Sequence, residues 1–167
     1  MEIGLSLGSN LGDRLNNLRQ AREKISAIPG FSILAYSPVY ETEPVDVLPQ
    51  FADLPFLNAV LIVSTDVVVE HLFEKCASFE KDMGRNHGSG RNAPRPIDID
   101  IIFAGNQRIK RGDGGVPHPR WAQRRFVVQP LADVRPDLHI PGESRTVREV
   151  LLALPPTPKV VLFTKAW

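Results

Sequence analysis

Phe56-Leu57-Asn58-Ala59-Val60-Leu61-Ile62-Val63-Ser64-Thr65 is the strongest strand signal in the chain, an aliphatic and β-branched run of strand length. Beyond it, Val69, Leu72, Phe73, Cys76, Phe79 and Met83 recur at helical spacing, and Gly84 closes the stripe. Before it, residues 41–55 are polar and proline-rich, which predicts a long loop. Residues 31–40 are β-branched and aromatic enough for another strand. Further upstream, Leu15, Leu18, Arg22, Ile25 and Ile28 mark a helix ending at Pro29-Gly30, with the Arg22 stem covering the apolar stripe. Residues 2–7 read as a strand, and Ser9-Asn10-Leu11-Gly12-Asp13 carries turn and cap chemistry. Downstream, residues 86–96 are glycine- and proline-rich loop and residues 97–103 a strand. Gly105-Asn106 then reads as a hairpin turn into 107–110. A loop through Pro117-His118-Pro119 follows, with short helices near 120–134 and 146–154 and a last strand at 159–164.

The order is βαββαβ, the ferredoxin-like arrangement of two split βαβ units. The expected class is therefore α+β: a mostly antiparallel sheet with both helices of the core on one face, plus C-terminal helices and a strand. With 167 residues, the chain is expected to form one domain over 1–167. A single cysteine excludes an internal disulfide and a Cys-rich zinc site. Apolar runs are too short to span a membrane, and the N-terminus has neither basic n-region nor cleavage site, so a cytoplasmic location is expected. No long apolar stripe is evident, so a monomer is expected. The net charge of +1 lacks the basic excess of a nucleic-acid binder. Residues 81–125 nevertheless hold ten basic against four acidic residues, a segment built to meet an anion.

Within that segment stands Ile97-Asp98-Ile99-Asp100-Ile101. On a strand, i and i+2 share a face, so Asp98 and Asp100 project side by side while the isoleucines enter the core. Paired carboxylates repel unless a cation lies between them, and hard oxygen ligands suit Mg²⁺. Alone, such a pair is more often one wet face of a strand. Arg91, Arg95, His118, Arg124 and Arg125 flank it, however, and arginine forks match phosphate oxygens. Carboxylates plus arginines are the recurrent kit of phosphoryl transfer. His118, held between two prolines, has no second histidine at metal-ligand spacing. Residues 8–13 lack the Walker A ending and are better read as a tight βα turn. Asn58 offers a donor and an acceptor to a flat heterocycle edge, though alone it is an ordinary strand-end residue. Phe126 stacks on a ring or fills core.

Arg91-Asn92-Ala93-Pro94-Arg95-Pro96-Ile97-Asp98-Ile99-Asp100-Ile101-Ile102 resembles the signature of the hydroxymethyl-dihydropterin pyrophosphokinase family. Three further segments agree in order: residues 7–13; Tyr40-Glu41-Thr42-Glu43-Pro44 with Phe56-Leu57-Asn58; and Val116-Pro117-His118 with Arg124 and Phe126. The resemblance covers essentially the whole chain. It implies transfer of the diphosphoryl group of ATP, as co-substrate, to the hydroxymethyl oxygen of a dihydropterin, with release of AMP. It implies two Mg²⁺ ions on Asp98 and Asp100, the latter two acting with Arg85 and Arg95 in catalysis. Glu80, Arg85, Arg95, Ile101, His118 and Arg124 correspond to the ATP site. Thr42, Val45, Phe56, Asn58, Asp98 and Phe126 correspond to the pterin pocket. Small molecules, and neither nucleic acid nor membrane, are the expected partners. The sequence departs from many members at Asn92, Pro119 and Phe56, where Trp, Tyr and Tyr are frequent. Segments 9–13, 43–55 and 86–97 are the expected mobile loops, with nucleotide ordering 86–97.

Two other classes compete. A non-catalytic nucleotide- or metabolite-binding module would keep the arginines without needing both aspartates. An RNA-binding module would want aromatic residues on the central strands, whereas the strand at Asp98 presents acids.

Overall fold

The computed structural model describes residues 1–45, 47–85, 93–112 and 114–167. Its central strands are β1 (Glu2–Ser9) and β4 (Phe56–Thr65), both buried along nearly their whole length. They pair antiparallel from Glu2 opposite Ser64 to Ser9 opposite Leu57. On the other side of β1 lies β5 (Asp98–Ala104). On the other side of β4 lie β2 (Phe31–Tyr36) and β3 (Val39–Thr42), end to end. An edge strand, β8 (Val160–Thr164), completes the order β5-β1-β4-β3-β8. Helices α1 (Arg14–Ser26) and α2 (Val69–Asp82) supply the βαββαβ connections, and the described pairings are all antiparallel.

Period-two alternation sends Ile3, Leu5, Leu7, Ala59, Leu61, Ile99 and Ile101 to one face. There they meet Leu18, Ala21 and Ile25 of α1 and Val69 and Leu72 of α2. Both core helices thus share that face, as expected. The opposite face is divided. Val60, Ile62, Ile102 and Phe103 pack under α3 (Arg125–Val134) and α4 (Val147–Ala153). A register shift against Gly4/Leu5 lets both Ile102 and Phe103 reach this second core. The rest of the face carries Ser6, Gly8, Asn58, Asp98 and Asp100, which line a cavity. The two faces are covered by different elements, so β1 and β4 read as continuous apolar runs except where the cavity opens.

Three expectations change. The strand over 31–40 is broken: Ser37 is buried, exchanging backbone hydrogen bonds with Val60 through its own N–H and through Oγ, which accepts from the Val60 N–H at 2.9 Å. Pro38 beside it has no N–H for the ladder, so β2 ends and β3 begins. The strand also runs on to Thr42, two residues into the segment read as loop. Gly105-Asn106 is a turn closed by the Gln107 N–H on the Ala104 carbonyl at 3.0 Å, but no strand pairing continues beyond it. The Gly105 N–H goes to the Glu2 carbonyl, and β6 (Ile109–Arg111) pairs with β7 (Gly114–Val116) instead of β5. On β8, at the end of the sheet, Val161, Leu162 and Phe163 are about half exposed.

The remaining C-terminal residue packs inward. Trp167 is buried and its indole N–H donates to the Ser37 carbonyl at 2.7 Å. Arg22 does more than cover α1. Its guanidinium lies 5.0 Å from the Tyr36 ring centre and 4.9 Å from that of Trp167, tying α1 to the sheet.

Candidate active site

Three neighbouring strands set the floor. In register, Gly8 stands between Asn58 and Asp98, and Ser6 lies beside Asp100. A methyl group at Gly8 would sit 3.2 Å from Asn58 Oδ1 and 3.9 Å from the Asp98 Cβ, so this glycine keeps the floor open between the two groups. The cavity measures about 240 Å³. At one end are Asp98, Asp100, Arg85, Arg95, His118 and Arg124; at the other are Thr42, Val45, Phe56, Asn58 and Phe126.

The carboxylates are held differently. Asp98 Oδ1 accepts from Arg85 Nη1 at 2.6 Å and Oδ2 from Arg95 Nη2 at 2.7 Å. Burial opposes its charge, but Arg95 and Arg85 outweigh burial and hold the carboxyl below its usual range. Among the described residues, Asp100 pairs with Arg124 at 3.5 Å and His118 at 3.8 Å. Burial, and then the Asp98 charge, push it up to about 6. Two neighbouring carboxylates with opposite shifts are a pair in want of a cation. Among the described residues no three His, Cys, Asp or Glu side chains gather to enclose a metal. Two open carboxylates nevertheless fit a hard divalent ion that takes its other oxygens from water and a phosphorylated ligand, the habit of Mg²⁺.

Each arginine is delivered by a local device. Gly84, at φ +93°, ends α2 in the left-handed conformation and turns the chain so that Arg85 reaches both Glu80 and Asp98. Asn10 in the β1–α1 turn accepts from the Arg95 N–H at 2.9 Å and returns its own N–H to the Arg95 carbonyl. Among the described residues, Arg95 Nε and Asn10 Nδ2 are buried without a hydrogen-bond partner, a cost that a ligand acceptor or a turn of the side chain relieves. His118 is anchored by its N–H on the Ile102 carbonyl. Its Nδ1 accepts from the Arg120 N–H at 3.1 Å, which leaves the ring proton on Nε2, toward Asp100 and Arg124. Burial, then Arg124 and Arg120, push this imidazole down to about 4, so it is neutral at pH 7.

At the apolar end, Asn58 and Thr42 are both buried, and Asn58 Nδ2 donates to Thr42 Oγ1 at 2.7 Å. Phe56 and Phe126 are each backed by a guanidinium, Arg95 at 5.5 Å and Arg124 at 5.6 Å from the ring centres. The result is a slot with aromatic walls and a polar edge beside the charged end.

Eleven of the thirteen sequence-derived site residues line this cavity; Glu80 and Ile101 do not. Ile101 follows Asp100 by one position, so its side chain faces the α1–α2 core. Glu80 is buried, and Oε1 accepts from the Ile99 N–H at 2.7 Å while pairing with Arg85. Those two contacts tie it to β5 and to Arg85. Burial lifts its carboxyl to about 7, against the Ile99 hydrogen bond and Arg85. Arg125 turns away to the Leu154 and Pro155 carbonyls and borders a smaller cavity. Arg91, Asn92 and most of the expected lid lie outside the described residues. Ser6, Gly8, Glu43 and Arg120 complete the lining. The alternation of small residues at Gly4, Ser6 and Gly8 in an otherwise apolar strand was the signal for the first two. Nothing local marked Asn10 as the anchor of Arg95, since the residues are 85 apart.

Fold and site define an α+β protein of ferredoxin-like fold, with one cavity suited to a polyanion at one end and a flat heterocycle at the other. The 7,8-dihydro-6-hydroxymethylpterin-pyrophosphokinase (HPPK) family model matches residues 4–136, and the chain belongs to that family. A protein of Methylorubrum extorquens named 2-amino-4-hydroxy-6-hydroxymethyldihydropteridine pyrophosphokinase is 39% identical over 153 residues, covering 92% of this chain and 93% of that protein. A folate synthesis bifunctional protein of Arabidopsis thaliana is 38% identical over 133 residues, 80% of this chain. This chain spans only 27% of that relative's length. Among solved structures, an HPPK-DHPS in complex with substrates superposes with a TM-score of 0.69 at 14% identity, over 90% of this chain and 42% of that one. The Plasmodium falciparum HPPK-DHPS wild type with pteroate gives 0.67 at 14% identity, with the same coverage. These two likenesses establish the fold.

Proposed function

We propose that this chain transfers the diphosphoryl group of ATP to the hydroxymethyl oxygen of 6-hydroxymethyl-7,8-dihydropterin, releasing AMP, as a step of folate synthesis. One observation carries the reading: the carboxylate pair with its arginines and the aromatic slot with its Asn58–Thr42 edge line one and the same cavity. Family membership and the Methylorubrum relative's name support the reaction.

In this reading Asn58 and Thr42 hydrogen-bond the pterin edge, Phe56 and Phe126 flank the ring, and Val45 closes one wall. The hydroxymethyl oxygen then points toward the charged end. It attacks the β-phosphorus of ATP, gives up its proton, and the bond to the α-phosphate oxygen breaks to release AMP. Arg85, Arg95 and Arg124 meet the phosphate oxygens, and neutral His118 offers its Nε2 proton to one of them. Asp98 and Asp100 hold Mg²⁺, two ions in this reading, which when bound supply charge neutralisation at the transferred group. Glu80 positions Arg85 and β5. The catalytic unit spans residues 1–167 and acts on free small molecules.

The test is to incubate the protein with ATP, Mg²⁺ and the dihydropterin and to follow nucleotides by chromatography. AMP is expected only with all three present, and chelation stops it. Asp98→Ala and Asp100→Ala are each expected to lower turnover at least about a hundredfold in protein that still folds. ADP in place of AMP would contradict the assigned bond cleavage. A folded protein with no turnover, whose ligand binding survives Asp98→Ala, would make it a binding module.

A further inference from the structure

Arg14 belongs to none of the groups named above, and its position is costly. It is the first residue of α1, whose first turn carries no acidic residue. A cation there opposes the positive end of the helix dipole. Both terminal nitrogens of its guanidinium, however, are engaged elsewhere. Nη2 pairs with Glu41 Oε2 at 2.8 Å, and Nη1 donates to the Pro55 carbonyl at 2.9 Å.

Those two partners flank one end of a ladder. Glu41 lies opposite Leu57 and Thr42 opposite Phe56, the last pair of β3 and β4. The next residue on the β4 side is Pro55, which has no N–H to extend the pairing. The ladder therefore stops at the pair that supplies the slot with its hydroxyl and one of its rings. Ends of ladders fray. Here one planar fork bridges both strands at the point where backbone pairing ends.

We infer that Arg14 is a positioning residue for the heterocycle end of the cavity: it holds the Thr42–Phe56 pair closed from outside, and sets pterin affinity without touching either substrate. This rests on the function proposed above. The fork geometry matters as well as the charge, because a lysine ammonium cannot present two coplanar donors to a carboxylate and a carbonyl.

The experiment compares wild type, Arg14→Ala and Arg14→Lys in the AMP-forming assay, varying pterin and ATP separately, with thermal unfolding in parallel. The expected result for Arg14→Ala is a pterin KM raised about fivefold or more, with kcat and the ATP KM within about twofold. The unfolding midpoint is expected to stay level or rise, because the substitution removes a cation from the positive end of α1. Arg14→Lys is expected to fall between the two, and it replaces Arg14→Ala as the readout should the latter fail to fold. A pterin KM unchanged in a folded variant overturns the inference. So does a parallel fall of the midpoint, kcat and both substrate affinities, which is the signature of a merely structural salt bridge. A wild type that forms no AMP overturns the functional reading itself, and the inference with it.

Discussion

At the scale of single residues, the site consists of groups whose charge is set by their neighbours. Asp98 and Asp100 are one strand step apart on one face, yet one is locked by two guanidiniums and the other is largely left to share a charge with it. Cys76, on the α2 turn before Glu80, shows the same environment from another side. Burial first, then Glu80 and Asp100, push its thiol up to about 12. At neutral pH almost none of it is thiolate, the reactive form. Alkylation by iodoacetamide at pH 7.5 is therefore expected to be more than about tenfold slower in the native protein than in urea, as read by intact mass. Rapid native labelling would contradict this placement of Cys76. Asp98, Asp100, Arg95, His118 and Arg124 were legible from residue types that carry chemistry, whereas Thr42, Val45, Phe56 and Arg85 came only through the family resemblance. Ile101 and Glu80, which the resemblance alone assigns to the ATP site, do not line the cavity: strand alternation turns Ile101 to the core, and the Glu80 carboxylate accepts the Ile99 N–H.

At the scale of elements, close approach decides the packing of β1 against β5. A methyl group added at Gly4 would lie 2.4 Å from the Phe103 ring, a residue of the second core. Gly4→Ala forces that ring out of its place and is expected to destabilise the protein by about 1–3 kcal/mol in urea unfolding. A neutral effect would mean the ring can move freely. Residues 56–65 and 69–82 follow the sequence patterns closely, because an apolar run and a helical stripe are local properties. The break at Ser37-Pro38 and the partner of β6 were not legible in the same way. Each depends on which neighbour receives a backbone hydrogen bond, and the neighbour is distant in sequence.

At the scale of the molecule, one sheet serves two cores and a cavity, and the last residue links α1 with the β2–β3 break. Trp167→Ala is expected to cost about 3–5 kcal/mol by loss of a buried indole, measured as a fall in the denaturant midpoint, with AMP formation retained in the folded fraction. A loss below about 1 kcal/mol would show that Trp167 is not docked as described. The β8 strand at the end of the sheet, with Val161, Leu162 and Phe163 exposed, lies on the far side of β3 from the carboxylates.

The sequence by itself determined the βαββαβ order, the pairing of Asp98 with Asp100 on one face, and the family to which the chain belongs. Periodicity and short motifs encode all three within a few residues. Only the tertiary structure decided that α3 and α4 cover just part of the second sheet face, that Asn10 holds Arg95, and that Arg14 bridges Glu41 and Pro55. Those contacts join segments about thirty to ninety residues apart or more, and no local pattern records which distant backbone group an arginine or asparagine will satisfy.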